Sequence, residues 1–469
     1  MRRFELLVLF SAAFAVFWPV VFGVRARRGL TALFLAGALF AQLQLEGFRW
    51  QMIPVYLGAV ALAIGDIFFL ERKLDWSSRL LRALLGVVGL VLAGAIPFLL
   101  PVPELPSPAG PEAIGTSTFF LIDRDRDELY GERPGGPREL SIQIWYPASP
   151  SDEVPREPWN ENWEVVSPAV ARGMGYPSWF WDQTRYTLSH AGRDLPVAEG
   201  TFPVLVYSHG YGGLRSDSLN HIEHLVSNGY IVVAPDHTYL AAATVIEGDE
   251  VAYRDLAALP DPDDTETTDE AHAQAETDLV ATTAGDLVTV LDALHEGETG
   301  PFGGVTAAMD LNRVGVYGHG SGGGAAIKVC LQLPDLCGAV LAMDAWVEPL
   351  TEEDLQHDMI RPALYMRSEE WIGNDDDALL SGIAARGQAI TYTVGIGGAS
   401  TNDFSMVPLL TPMASQLGLK GPIPAGRVTT IVDNYLLGFF DVMLLGTGSA
   451  ALDSVTFEEV DVSVVQPSG

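Results

Sequence analysis

Basic residues are scarce in this chain. Twenty-seven lysines and arginines face 60 aspartates and glutamates, and only three of the bases are lysines (Lys73, Lys328, Lys420). A net charge of −33 repels polyanions and excludes a nucleic-acid-binding surface of the usual kind. Cysteine is nearly absent, with Cys330 and Cys337 alone. Two cysteines with no histidine cluster beside them make a poor metal site. Their short spacing leaves two readings open, a disulfide outside the cytoplasm or a pair of buried thiols. Histidine is missing from the whole C-terminal part, the last of the nine being His357. No imidazole therefore arrives from the end of the chain.

Long apolar runs, by contrast, are abundant, and they crowd one end. About Leu6–Val24, Leu30–Leu45, Ile53–Leu70 and Leu84–Leu100 each approach the roughly 20 residues that cross a bilayer. A cleaved signal peptide is not followed by three more such segments. Residues 1–100 carry a net +5 and the remainder −38. Arg25, Arg27 and Arg28 fall in the first loop, and Arg72, Lys73, Arg79 and Arg82 in the third; the amino terminus and second loop hold Arg2, Arg3 and Arg49. The excess of bases in loops one and three predicts four spans with the amino terminus and the subsequent domain outside the cytoplasm. The second run, with Gln42 and Gln44, is alternatively an interfacial helix, and Asp66 is placed at the membrane surface. Residues 101–115, rich in proline, read as a stiff linker. The acidity of the chain beyond residue 115 suits either a cationic partner or a solvated surface adapted to high salt.

Residues 116–447 alternate short apolar runs with helical patterns. Thr116–Ile122 and Leu140–Tyr146 read as an opening antiparallel pair. Pro203–Ser208, Tyr230–Pro235, Val314–Tyr317, Ala339–Met343, Ala363–Met366 and Ile390–Val394 read as buried strands. His221–Asn228, Ala271–His295 and Val428–Leu445 read as helices. This order predicts an α/β domain with a mostly parallel, doubly wound sheet. Glu247–Glu270, rich in Asp, Glu, Thr and Pro, is expected to be a mobile excursion, and 448–469 a tail.

The chemistry is concentrated at strand ends, where open α/β sheets bind ligands. Val314–Ala326 reads as strand, tight turn and helix, the build of a Gly-x-Ser-x-Gly nucleophile elbow. Here the pattern is Gly318-x-Gly320-x-Gly322, so Gly320 stands where the reactive serine is required. Tyr207-Ser208-His209-Gly210-Tyr211-Gly212-Gly213 comes directly after another strand, and its glycines let backbone amides approach a ligand oxygen. With Gly229–His237, Met343–Leu350 and Gly398–Ser405, these segments resemble the platelet-activating-factor acetylhydrolase and dienelactone-hydrolase-like branch of the α/β-hydrolases, over about residues 115–445. Four spans before such a domain resemble a bacterial subgroup of that family.

The resemblance implies an α/β-hydrolase fold and carboxylic ester hydrolase ancestry. On its register the triad acid falls on Asp344, the nucleophile on Gly320 and the triad histidine on Thr401. Tyr211 and Ser321 are the expected oxyanion-hole amides, with His209, Gly210, His237 and His319 as pocket support. Two of three triad groups are then missing, and loss of either costs on the order of 10⁶ in turnover. The expected protein is a membrane-tethered hydrolase fold that binds an ester or phospholipid-like ligand without efficient turnover, with no cofactor and no metal. Alternatives are an active ester hydrolase using Ser321 with a relocated base, and a membrane scaffold. His221 and His224, three apart on a helix, are read as exposed rather than as a metal pair, with no carboxylate partner evident. His357 is read as solvated.

Overall fold

A computed structural model describes the chain except for residues 23–28, 69–74, 132–133, 152–153, 262–266, 298–301, 448–451, 453–456 and 468–469. Two compact units emerge, Met1–Pro103 with Leu410–Met413, and Glu104–Leu409 with Ala414–Gly469.

The first unit is a bundle of α1 (Arg3–Phe22), α2 (Leu30–Leu45), α3 (Ile53–Phe68) and α4 (Trp76–Leu99). Small and aliphatic residues such as Val8, Ala12, Leu35, Ala38, Val55 and Ala59 form its interior. Its outward faces are as apolar as its core, with Phe10, Leu33, Leu57, Phe68 and Leu92 exposed. Polar groups turn inward: Arg49 and Glu5, both fully buried, pair at 3.1 Å, and Gln42 accepts from the Tyr56 hydroxyl at 2.9 Å. Asp66 accepts from the Ala32 amide at 3.2 Å. Helices α1 and α4 are long and apolar enough to cross a membrane, as is α3 with the turn that precedes it; α2 is shorter. Of the bases used to orient the spans, Arg25, Arg27, Arg28, Arg72 and Lys73 lie outside the described residues.

The second unit is built on an eleven-stranded sheet. Its strands are β1 (Ala113–Asp127), β2 (Pro137–Ala148), β3 (Arg156–Pro158), β4 (Leu188–Arg193), β5 (Phe202–Ser208), β6 (Ile231–Asp236), β9 (Met309–His319), β10 (Ala339–Met343), β11 (Ala363–Ser368), β12 (Thr391–Ile396) and β13 (Val460–Val465). They lie in the order β13-β12-β11-β10-β9-β5-β6-β2-β1-β4-β3. The central block from β12 to β6 is parallel. Two faces bury each central strand, which is why these runs are continuously apolar. In β5, Val204 and Val206 face one layer and Leu205 and Tyr207 the other. The first layer is closed by α7 (Asp269–His295), α8 (Ser321–Gln332) and α9 (Asp375–Arg386); the second by α6 (Leu219–Ser227) and α10 (Ala425–Leu445). Helix α10 is also long and apolar enough to span a membrane, but Val428, Ile431, Leu436 and Phe439 are buried against the sheet.

Four expectations are corrected. The linker does not stay free throughout: Leu105 is buried, and Glu112 N–H donates to the Ser227 carbonyl at 3.0 Å. The C-terminal tail adds an edge strand, β13, antiparallel to β12, because Val460, Val462 and Val464 alternate with polar residues. In the acidic excursion, β8 (Val251–Tyr253) pairs with β7 (Ala243–Val245), while residues 262–266 fall outside the described set. His221 is buried and its Nδ1 lies 2.6 Å from Asp433 Oδ1 on α10, a partner far away in sequence. Helix α5 (Trp163–Gly173) packs Val166 and Ala169 on Leu214, Ala242 and Ala243. Cys330 and Cys337 are joined by a disulfide, which resolves the two readings of that pair. His357 is exposed.

Candidate active site

Strands β5, β9 and β10 are neighbours, so the segments after them meet at one edge of the sheet. Gly320 forms the tip of the turn from β9 into α8, with φ 57° and ψ −123°. Its N–H donates to the Met343 carbonyl and its own carbonyl accepts from Gly324 and Trp346, all at 3.0 Å. A Cβ at Gly318 would lie 2.4 Å from the Gly322 carbonyl oxygen, one at Gly322 2.3 Å from the Ser208 carbonyl oxygen, and one at Gly324 2.0 Å from that of Trp346. Those three glycines are required by close backbone approach. At Gly320 the nearest atom to such a Cβ would be Gly210 Cα, at 3.8 Å. Among these glycines the turn therefore has room for a side chain at the one position where its geometry would display it.

Asp344 comes after β10 in a left-handed conformation, φ 41°, a strained setting for a non-glycine residue. It is fully buried; Ser368 N–H donates to its Oδ1 and Ser368 O–H to its Oδ2, each at 2.7 Å. Burial pushes the Asp344 carboxyl up to about 7, against the opposing pull of Ser368 and the Thr401 hydroxyl. Thr401 opens a short turn (Thr401–Phe404) after β12. That turn is held by Asp403, which accepts from the Ser400 and Gly421 amides at 2.8 Å each, and by buried Phe404. Thr401 Oγ1 lies 2.9 Å from His319 Nε2. Loss of hydration brings His319 down to about 4, so its ring is neutral near neutral pH. Thr401 is thus held between an imidazole and a carboxyl.

Ser321 opens α8 and is nearly buried. Tyr211 N–H, expected to point at a ligand oxygen, instead donates to Ser321 Oγ at 2.9 Å. Among the described residues, that is the hydrogen bond made by Ser321 Oγ, and no imidazole hydrogen-bonds to it. The expected pair of open oxyanion amides is therefore corrected: Tyr211's is capped by the neighbouring hydroxyl. His209 is buried, with Nδ1 2.8 Å from the Gly210 carbonyl and Nε2 accepting from His237 N–H at 3.1 Å. Burial pushes His209 down to about 4. His237 Nε2 lies 2.9 Å from Ser208 Oγ and its Nδ1 3.0 Å from Asp286 Oδ2. Both rings brace the loop that carries Gly210 and Tyr211. Among the described residues, no group of three or more His, Cys, Asp or Glu is arranged to hold a metal ion.

A strand-end turn shaped like this is diagnostic only in the company of a family. Residues 140–444 match the family model described as platelet-activating factor acetylhydrolase, isoform II. The chain belongs to this family. It is 23% identical to a platelet-activating factor acetylhydrolase of Gallus gallus over 303 residues, 58% of this chain and 67% of that protein. A solved structure of a ferulic acid esterase from Streptomyces cinnamoneus superimposes with a TM-score of 0.61 at 26% identity, covering 77% of this chain and 99% of that one. The α/β-hydrolase fold implied by the resemblance is thereby established.

In this acetylhydrolase-family chain, sequence reasoning did not find the His319–Thr401 contact or the bond between Tyr211 and Ser321. Both join distant segments, and no local spacing signals them. The Asp344 shift has a measurable consequence. The folded chain holds a proton on this carboxyl up to about pH 7, whereas the unfolded value is 3.8. Between these limits the folded state binds more protons, so the stability contributed by this group falls as pH rises, by at most about 1.4 kcal/mol per pH unit. Asp344→Asn removes the slope. Denaturation of the two proteins at pH 5 and pH 8 is expected to show wild type losing stability relative to the variant at the higher pH; equal differences would refute the protonated carboxyl.

Proposed function

We propose that this chain is a membrane-anchored member of the family that binds an ester or phospholipid-like ligand and turns it over poorly or not at all. One observation carries the reading. Beside Asp344 stands the hydroxyl of Thr401, and the glycine at the tip of the turn has no reactive atom to be activated. A Ser–His–Asp unit needs a nucleophile, a base within hydrogen-bond reach of it, and an acid behind the base. Among the described residues, Asp344 supports the role of the acid, and no side chain at Gly320 or Thr401 supports the other two. Ser321 is a weak substitute, since its oxygen accepts from Tyr211 N–H and an unassisted serine hydroxyl is a poor nucleophile.

Anchoring is supported by the outward-facing apolar residues of α1 to α4, which suit hydrocarbon rather than water. The inferred topology puts the amino terminus and the hydrolase unit outside the cytoplasm, on the bases of residues 25–28 and 72–82, of which Arg79 and Arg82, read as loop residues, lie in the first turns of α4. The acidity of the second unit argues against a nucleic-acid partner.

The test uses the full-length protein in neutral detergent. A fluorophosphonate probe is expected to leave Ser321 unmodified. A neutral monoacylglycerol is expected to raise the melting temperature without being hydrolysed. Labelling of Ser321 would establish an active enzyme with a relocated nucleophile. Absence of any ligand-induced shift would leave the scaffold alternative.

A further inference from the structure

Two arginines near this site take no part in the contacts that shape the Gly320 turn. Most bases in the second unit are matched with acids: Arg126, Arg138, Arg193, Arg215, Arg367 and Arg427 each lie within 4 Å of at least one carboxylate. Among the described residues, Arg124, Arg156 and Arg386 lack such a partner, Arg156 and Arg386 being held by backbone carbonyls. Arg172 and Arg254 lack one too, in a chain where acids outnumber bases 60 to 27, but are seated differently. Each is instead seated over a tyrosine ring. Arg254 Cζ lies 5.2 Å from the centroid of Tyr211, and Arg172 Cζ 5.8 Å from that of Tyr253.

Their place in the fold is specific. Arg254 comes directly after β8, and its backbone N–H donates to the Ala242 carbonyl at 3.3 Å. The ring beneath it is fixed, because Tyr211 O–H donates to the Asp255 carbonyl at 3.0 Å. The guanidinium then lies across Gly212, where a Cβ would come within 2.5 Å of its Nη1. It also reaches Gly173, whose Cβ position is 3.7 Å from its Nη2. Gly173 is the residue after Arg172, so the two cationic segments are adjacent. The neighbouring carboxylate, Asp255, is committed to the Gly131 and Ala257 amides at 2.9 Å each. Tyr211 is the residue whose amide faces the Gly320 turn.

We propose that Arg254, assisted by Arg172, forms an anion subsite at the rim of the ligand cleft proposed at the Gly320 turn, taking a phosphate or carboxylate group of the ligand. This rests on the ligand-binding reading of that cleft. A guanidinium held over an aromatic ring, with no carboxylate on it, keeps N–H groups for a planar or tetrahedral oxyanion, and it binds such groups in pairs of hydrogen bonds. Cation–aromatic contact holds it in place without neutralising it. The strongly acidic unit repels anions in general, so two uncompensated cations at one rim provide selectivity where the surrounding charge opposes binding.

The experiment measures binding to the full-length protein in neutral detergent. Its three probes are a monoacylglycerol, the same acyl chain as 1-acylglycerol 3-phosphate, and inorganic phosphate. The phosphorylated probe is expected to bind at least about tenfold more tightly than the neutral one. Arg254→Gln is expected to abolish that ratio and leave the neutral probe unchanged. Arg172→Gln should reduce it less, and Arg254→Lys should retain part of it. Inorganic phosphate should displace the phosphorylated probe only in large excess; equal potency would assign the subsite to free phosphate and overturn its place in the ester cleft. If the neutral ester binds and the phosphate adds nothing, or if Arg254→Gln weakens both lipids equally, the subsite fails and the cleft reading stands. If neither lipid binds, the cleft reading fails and the subsite with it. Melting curves of each variant separate lost recognition from lost folding.

Discussion

Gly320→Ser combined with Thr401→His is expected to turn this chain into a working serine esterase, while either change alone leaves it silent. The turn is already shaped for it. At φ 57° and ψ −123° the backbone of residue 320 holds the strained conformation in which a nucleophile elbow presents its side chain. A Cβ there meets nothing closer than 3.8 Å. A serine pays for the positive φ, about 1–3 kcal/mol, which the surrounding hydrogen bonds with Met343, Gly324 and Trp346 can hold. At position 401 the existing hydroxyl already lies beside Asp344, so an imidazole there would have the acid behind it. It must displace the contact to His319, which is partly exposed and neutral. Because the triad acts as a unit, turnover of p-nitrophenyl acetate by the double variant should exceed that of each single variant by at least about 10³. A third change, Ser321→Ala, is expected to raise it further. It releases the Tyr211 amide, and an oxyanion donor is worth about 10²–10³ in kcat. Fluorophosphonate should label residue 320 in the double variant. Silence in the double and triple variants would mean that the pocket has lost more than these side chains.

The fold was legible in the sequence because its central strands are buried on both faces. Val204–Ser208, Ile231–Ala234 and Ala339–Met343 are continuously buried runs with no competing periodicity. The glycines at 318, 322 and 324 were legible too, since backbone contact there excludes any side chain. What escaped was pairing across distance. Asp433 sits on a helix more than 200 residues after His221, and Asp286 lies 49 residues from His237. A buried histidine and an exposed one look alike in one dimension. Strand β13 escaped for another reason: three valines alternating with polar residues make a half-exposed edge, and short alternation near a terminus is a weak signal. The capped Tyr211 amide escaped because it joins segments 110 residues apart. Ser321 is small and polar and lies one residue past Gly320, so its hydroxyl reaches the amide.

The largest effect on stability is expected from Arg138→Met. Arg138 is 1% exposed and faces two carboxylates, Glu128 at 2.7 Å and Asp286 at 2.7 Å, while its Nη1 donates to the Thr238 carbonyl at 2.9 Å. Burial by itself would raise the Asp286 carboxyl; Arg138 and His237 beside it hold it instead far below the ordinary carboxylate range. Removing the guanidinium leaves Glu128 buried without its cation and Asp286 with Arg126 at 2.8 Å and the His237 ring at 3.0 Å. Breaking a buried pair in this way costs about 3–5 kcal/mol. The urea midpoint of the second unit, monitored by tryptophan fluorescence, should fall accordingly. Asp286 sets the sign of the pH dependence. Its folded value lies below its unfolded value, so its contribution is present above about pH 4 and is lost as pH falls further. The gap between wild type and Arg138→Met should therefore narrow in acid. The effect should also reach the site, because Asp286 orients His237, and His237 braces both Ser208 and His209 beneath the Tyr211 loop. Replacing Arg138, Glu128 and Asp286 together with apolar residues of similar size separates the two roles. Stability should largely return, since no buried charge is left uncompensated. Ligand binding should not return with it, because the loop has lost the imidazole orientation that held Tyr211 in place. A triple variant that regains both would reduce this ionic cluster to a device for stability alone.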